Sequence, residues 1–254
     1  MILFLFLDIT PSCEYLETMG ILYLIRHGQA SFGQKNYDRL SPVGIHQAQI
    51  LGEYLAGVRF VFHETYCGEM ERQRHTAREV MAGFMSAGLA FPSPVEQAAF
   101  DEYDAFAVWE NQTRIMIQEE VLLLDDIART QTDKRKFQQL FERVAMRWIS
   151  GNHDAPGNIR WRDFVDRVSE GIRALTTRRG SGQHIAVFTS CGPISIAMQL
   201  ALGLSDSKTM EISWQVMNTS VSRFYFNSSG ISLAGFNDIA HLATKQDSSL
   251  LTYR

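Results

Sequence analysis

Five apolar residues, Ile21 to Ile25, run without a break into Arg26, His27 and Gly28. A strand with no polar face has to be covered on both sides, as a central strand of a parallel sheet is. A second run, "HIAVFTS" at 184–190, has the same character and ends at Cys191, Gly192 and Pro193. Two such strands, separated by long amphipathic stretches, exclude a helical bundle. They predict an α/β fold: a three-layer sandwich whose mostly parallel central sheet is flanked by helices.

The intervening segments supply those helices. In "LSPVGIHQAQILGEYLAGV", Ser41 is placed to cap and Pro42 suits a first turn, while Ile45, Ala48, Leu51, Leu55 and Val58 share one face. "FVFHETYC" at 60–67 predicts a strand, and a helix follows over about 70–85. Pro92 and Pro94 mark an irregular connection. The pattern over 115–150 is helical, with Phe137, Leu140, Phe141, Val144 and Trp148 in one stripe, and "GNHDAPGN" breaks it. Another amphipathic helix covers 161–178, through Phe164, Val168, Ile172 and Leu175, and a further one opens at Cys191. Strands near 212–226 and 231–236 complete one domain over 19–254. Its helical insertion at about 104–160 is expected to lie over one end of the sheet as a lid, with Trp109, Phe137 and Trp148 setting specificity.

Composition narrows the function. Twenty-four Lys and Arg against 28 Asp and Glu give a net charge of -4, which speaks against wholesale nucleic-acid binding. Cys13, Cys67 and Cys191 are odd in number and share no CxxC spacing. No disulfide framework or zinc site is expected, and a reducing cytoplasm is the expected location. The apolar run Ile2 to Leu7 is six residues, far short of the ~20 that span a bilayer, so no membrane partner is expected. Residues 1–18 read as an extension ahead of the domain, with Met19 a candidate original start. An edge strand or an apolar helix face leaves a homodimer open.

In open α/β sheets, ligands bind beyond the carboxyl ends of the strands, where Arg26-His27-Gly28 and "TSCGP" both lie. Here the chain resembles the histidine phosphatase superfamily, which includes the phosphoglycerate mutase-like enzymes. "LIRHGQASFG", "LSPVGIHQAQILGEYL", "MERQRHTA", "FDEYDAF", "TSCGPI" and "FNDIAHL" carry the resemblance over residues 21 to 242. It implies phosphoryl transfer to His27 as nucleophile, with no metal or other cofactor. Arg26 and Arg72 would clamp the phosphate, since a planar guanidinium holds two oxygens of a dianion at once. Arg74 and Arg78 fit surface positions better. Glu102 would be the general acid, with Asp101, Asp104 and Glu110 as rivals in the same segment. Gly28 would let the backbone approach the phosphate, and Gln29 and Ser31 would add hydrogen bonds.

One element departs from the family pattern. Cys191 stands where the later strand normally presents a second histidine, and neither His184 nor His75 is placed to replace it. Losing such a preorganised donor costs ~10²–10³ in rate. The backbone N–H groups of Cys191 and Gly192, at the positive end of the following helix, are the expected substitutes. Cys191 as a nucleophile is a rival reading, against which stand the missing Cys-x5-Arg loop and the missing Gly-x-Ser-x-Gly elbow. The expected function is hydrolysis of a small phosphorylated substrate through phosphohistidine, at reduced activity. The alternative is a phospholigand-binding or interaction protein of little or no turnover on the same fold.

Overall fold

The structure, a computed structural model, describes residues 19–31, 34, 36–119, 124–130, 132–154, 159–177 and 182–253. The expected extension over 1–18, and Cys13 with it, lies outside them. The chain runs β1 (Gly20–Arg26), α1 (Pro42–Gly57), β2 (Glu64–Cys67), α2 (Glu71–Ser86), β3 (Val95–Glu96), α3 (Ala105–Gln118), α4 (Leu124–Thr130), α5 (Lys134–Ile149) and α6 (Trp161–Thr176). It continues through β4 (His184–Thr189), α7 (Cys191–Leu202), α8 (Asp206–Ser213), β5 (Val221–Asn227), β6 (Gly230–Asp238) and α9 (Ala240–Ala243).

The sheet order is β3-β2-β4-β1-β5-β6. The β3–β2, β2–β4 and β4–β1 pairings are parallel, and β5 is antiparallel to both of its neighbours. Alternation along the strands assigns two cores. Leu22, Leu24, Ile185 and Val187 pack with Val144, Trp148, Phe164, Ile172 and Ile196, from α5 to α7. Tyr23, Ile25, Ala186 and Phe188 pack with Leu51, Leu55, Val80 and Phe84, from α1 and α2. These are the three layers. Both faces of β1 and β4 are covered, which is why neither strand carries a polar face.

Ser41 caps α1 as expected: its side chain accepts the Gly44 N–H at 3.0 Å, with Pro42 in the first turn. Other boundaries differ. Val58 is the C-cap of α1 and is exposed, so it drops off the predicted stripe. The strand expected over 60–67 pairs only from Glu64, because Phe60 and Phe62 turn into an aromatic cluster against Tyr23. The strand expected from 212 begins at Val221. Ser205, accepting the Lys208 N–H, starts a helix at Asp206 that outcompetes the alternating pattern of Ile212, Trp214 and Val216.

The insertion becomes three helices, α3 to α5, and the first starts earlier than predicted because Asp104 caps it, accepting the Ala107 N–H at 2.9 Å. It is fused to the body of the domain. Trp148 is fully buried, with Trp161 at 5.2 Å between ring centroids, while Trp109 stacks on Phe137 at 5.4 Å and Phe141 at 6.5 Å. No helix among the described residues is long and apolar enough to cross a membrane.

Candidate active site

The parallel β1–β4 register pairs Arg26 with Thr189, so the two strands finish level and their loops emerge together. His27 leaves β1 with its backbone held from two sides. Its N–H donates to Thr189 O at 2.9 Å, and its carbonyl accepts from Asn218 Nδ2 at 3.1 Å. The ring is fixed by a 2.7 Å hydrogen bond between Nδ1 and the Gly28 carbonyl. A carbonyl can only accept, so Nδ1 carries the proton and the Nε2 lone pair is left to accept. Arg72 Nε donates to that Nε2 at 3.0 Å. Burial, reinforced by the charges of Arg72 and Arg26, holds His27 well below the usual histidine range. The imidazole is neutral.

Both arginines are almost fully buried. Arg72 is oriented by Asp38, which accepts from Nη1 at 2.6 Å, and its guanidinium lies 5.6 Å from the Tyr37 ring centroid. Arg26 donates through Nη1 to the Val216 carbonyl, while its Nε has no partner. A buried guanidinium with an unsatisfied N–H is costly unless an anion completes it. Arg72 bonds the imidazole directly and the charge of Arg26 acts on the same ring, so a phosphate dianion seated there would meet two cations and a neutral imidazole.

Glu102 is held at the start of α7. Its Oε2 accepts the Gly192 N–H at 2.9 Å and the Cys191 thiol at 3.4 Å. The positive end of α7 favours a carboxylate there. A Cβ on residue 192 would come within 2.0 Å of Glu102 Oε1, so only glycine admits the carboxylate. The rival acids are spent elsewhere. Asp101 accepts the Glu69 N–H at 2.6 Å, Asp104 caps α3, and Glu110 is exposed.

Burial, and then the neighbouring Glu102 charge, push the Cys191 thiol up to about 12. It is a protonated donor to Glu102, not a thiolate. The Gly192 N–H, expected to face the phosphate, is likewise engaged with Glu102.

Gly28 also differs from expectation. Its N–H donates to Thr76 Oγ1 at 3.0 Å, and a Cβ would lie 2.3 Å from the Gly44 carbonyl oxygen, so the close approach it permits is to α1. Gln29 is built into the loop: its N–H donates to Gln47 Oε1 at 2.9 Å and its Oε1 accepts from Ser41 Oγ at 2.8 Å. Ser31 bonds through its backbone N–H to Arg39 O at 2.8 Å.

Asp38, Thr76 and Asn218 were not singled out in the sequence. Thr76 could have been, because it lies one turn after Arg72 on α2 and accepts the Gly28 N–H. Among the described residues no three His, Cys, Asp or Glu side chains converge as metal ligands would.

A family model described as histidine phosphatase superfamily (branch 1) matches residues 22–239. Among solved structures, the chain is similar to phosphoglycerate mutase from Bacillus anthracis, with a TM-score of 0.61 and 16% identity over 92% of this chain and 100% of that one. Phosphoserine phosphatase from Entamoeba histolytica, in complex with 3-phosphoglyceric acid, gives 0.57 and 17% over 88% and 100%. Alpha-ribazole phosphatase from Shigella flexneri gives 0.51 and 21% over 86% and 96%. No curated protein matches in sequence.

Proposed function

Because the chain belongs to the histidine phosphatase superfamily, branch 1, we propose that it hydrolyses a small phosphomonoester through a phosphohistidine at His27. The observation that carries the reading is the ring geometry: Nδ1 bonded to the Gly28 carbonyl at 2.7 Å, and Nε2 pointing at Arg72, 3.0 Å away. When substrate enters, Arg72 exchanges the imidazole lone pair for phosphate oxygens, and Arg26 Nε gains the partner it lacks. Nε2 attacks phosphorus as the ester P–O bond breaks. A proton passed through Glu102 reaches the departing oxygen. In the second half, the Glu102 carboxylate takes a proton from water. The water oxygen then attacks phosphorus, the P–N bond breaks, and inorganic phosphate leaves.

Cys191 fits this scheme as the group that helps hold Glu102. The same residue favours a second reading, phospholigand binding with little turnover, because no imidazolium meets the phosphoryl oxygens from the α7 side. Rapid-quench labelling with a radiolabelled aryl phosphate separates the two. Hydrolysis through His27 leaves acid-labile, alkali-stable phosphate on the wild-type protein and none on His27→Ala. If both proteins are equally idle while phosphate still binds, the binding reading replaces this one.

A further inference from the structure

We propose that the ligand of this site is a phosphomonoester whose alcohol carries an apolar, aromatic group and no second anionic group. The inference rests on the phosphate-site reading above and concerns what lies beyond the phosphate.

One aromatic ring lies against the guanidinium that faces His27, and a second packs on the first. Tyr37 lies under Arg72, and the Phe106 ring meets Tyr37 edge to face, with centroids 6.1 Å apart and an interplanar angle of 89°. Burial, and then Glu102 and Cys191, hold the Tyr103 phenol well above its usual range, and Tyr37 is near enough to add to that. Phe106 itself is 65% exposed, on the first turn of α3, four residues after Glu102. The other bulky rings of the insertion are used internally, Trp148 in the core and Trp109 against Phe137 and Phe141. The segment that brings Glu102 to the pocket thus leaves one phenyl ring to solvent at the rim. Exposed aromatic surface linked through Tyr37 to the Arg72 guanidinium fits a ligand with an apolar body and a phosphate head.

The charges around the rim support the second half of the proposal. A carboxylate on the alcohol would need a cation beyond the two that face the phosphate. Among the described residues, the nearby cations have partners: Arg39 faces Glu71 at 3.3 Å, and Arg167 donates to the carbonyls of Ala98 and Asp101. Asp38, bonded to Arg72, and Glu102, on the start of α7, disfavour a second anion beside them.

Non-hydrolysable phosphonates test the ligand class without relying on turnover. Titration calorimetry should give tighter binding of phenethylphosphonate than of ethylphosphonate by about two- to tenfold, the range one aromatic contact supplies. Phe106→Ala should collapse that ratio; the residue is too exposed for its loss to unfold the domain. Phosphonoacetate should bind more weakly than ethylphosphonate. A ratio near one, a ratio untouched by Phe106→Ala, or tighter binding of phosphonoacetate overturns the proposal. Failure of every phosphonate to bind overturns it together with the anion pocket. Binding in the predicted order with no hydrolysis of phenethyl phosphate leaves the ligand class standing and removes the phosphohistidine chemistry alone.

Discussion

Replacing Gly192 with alanine tests whether the α7 terminus places the acid. The new Cβ would meet Glu102 Oε1 at 2.0 Å, and ordinary contact begins at 3.4 Å, so the carboxylate must retreat by about 1.4 Å. A misplacement of that size costs a catalytic group about 10² in rate, or about 2.7 kcal/mol. The cost should appear only where a proton must be delivered. The readout is kcat/KM, which covers the steps up to phosphoryl transfer. For ethyl phosphate, whose alkoxide cannot leave unprotonated, it should fall about a hundredfold; for nitrophenyl phosphate it should fall less than about tenfold. Alanine is the better helix former by about 1 kcal/mol, which opposes the strain against Phe164 Cζ, 2.8 Å from the same Cβ. Because both changes act on one carboxylate, adding Gly192→Ala to Glu102→Gln should cost little more than Glu102→Gln alone. Equal losses on both esters, or full additivity with Glu102→Gln, would refute the assignment of Glu102 and its seat on α7.

Cys191→Ser should preserve turnover, since a hydroxyl still donates to Glu102. The native thiol, raised from 9.0 to about 12, should react with iodoacetamide near neutrality about a thousandfold more slowly than a free thiol; fast labelling would revive it as a nucleophile. Asp38→Ala removes the carboxylate that orients Arg72 at 2.6 Å and should lower kcat/KM about tenfold, a charge-assisted bond's worth; unchanged kinetics would show that the guanidinium holds itself. His241, bonded to Thr219 Oγ1 at 3.0 Å, is lowered from 6.5 to about 4 by burial. The unfolded chain takes up that proton first, so the stability held above pH 6.5 is lost as pH falls towards 4, by about 3 kcal/mol. His27 acts in the same direction. Denaturant titrations at several pH values should show a shallower loss in His241→Gln, and parallel curves would exclude the assignment.

The sequence exposed what is periodic or local. Two uninterrupted apolar runs located β1 and β4, and with them the carboxyl ends of the strands where Arg26, His27, Cys191 and Gly192 emerge. Ser41 and Pro42 marked the start of α1. What stayed hidden depends on contacts between distant parts of the chain. Asp38 is identified only by its bond to Arg72, 34 positions away, and Asn218 only by its bond to the His27 carbonyl, 191 positions away. Gly28 was legible as a required glycine but not for its reason, because Gly44 on α1 is the neighbour that demands it. The alternation of Ile212, Trp214 and Val216 imitated a strand that a serine cap overruled.

The level ends of β1 and β4 also set how the site moves. The Arg26 amide donates to Ser220 O at 3.1 Å and the His27 amide to Thr189 O at 2.9 Å, bonds that extend the pairings of a strand covered on both faces. Such bonds break only when the domain itself comes apart, so deuterium should enter these two amides as slowly as anywhere in the molecule. Amides in the outer turns of α3, around Phe106, should exchange far sooner. The His27 imidazole is then a rigid anchor, and whatever give the site has resides around Phe106.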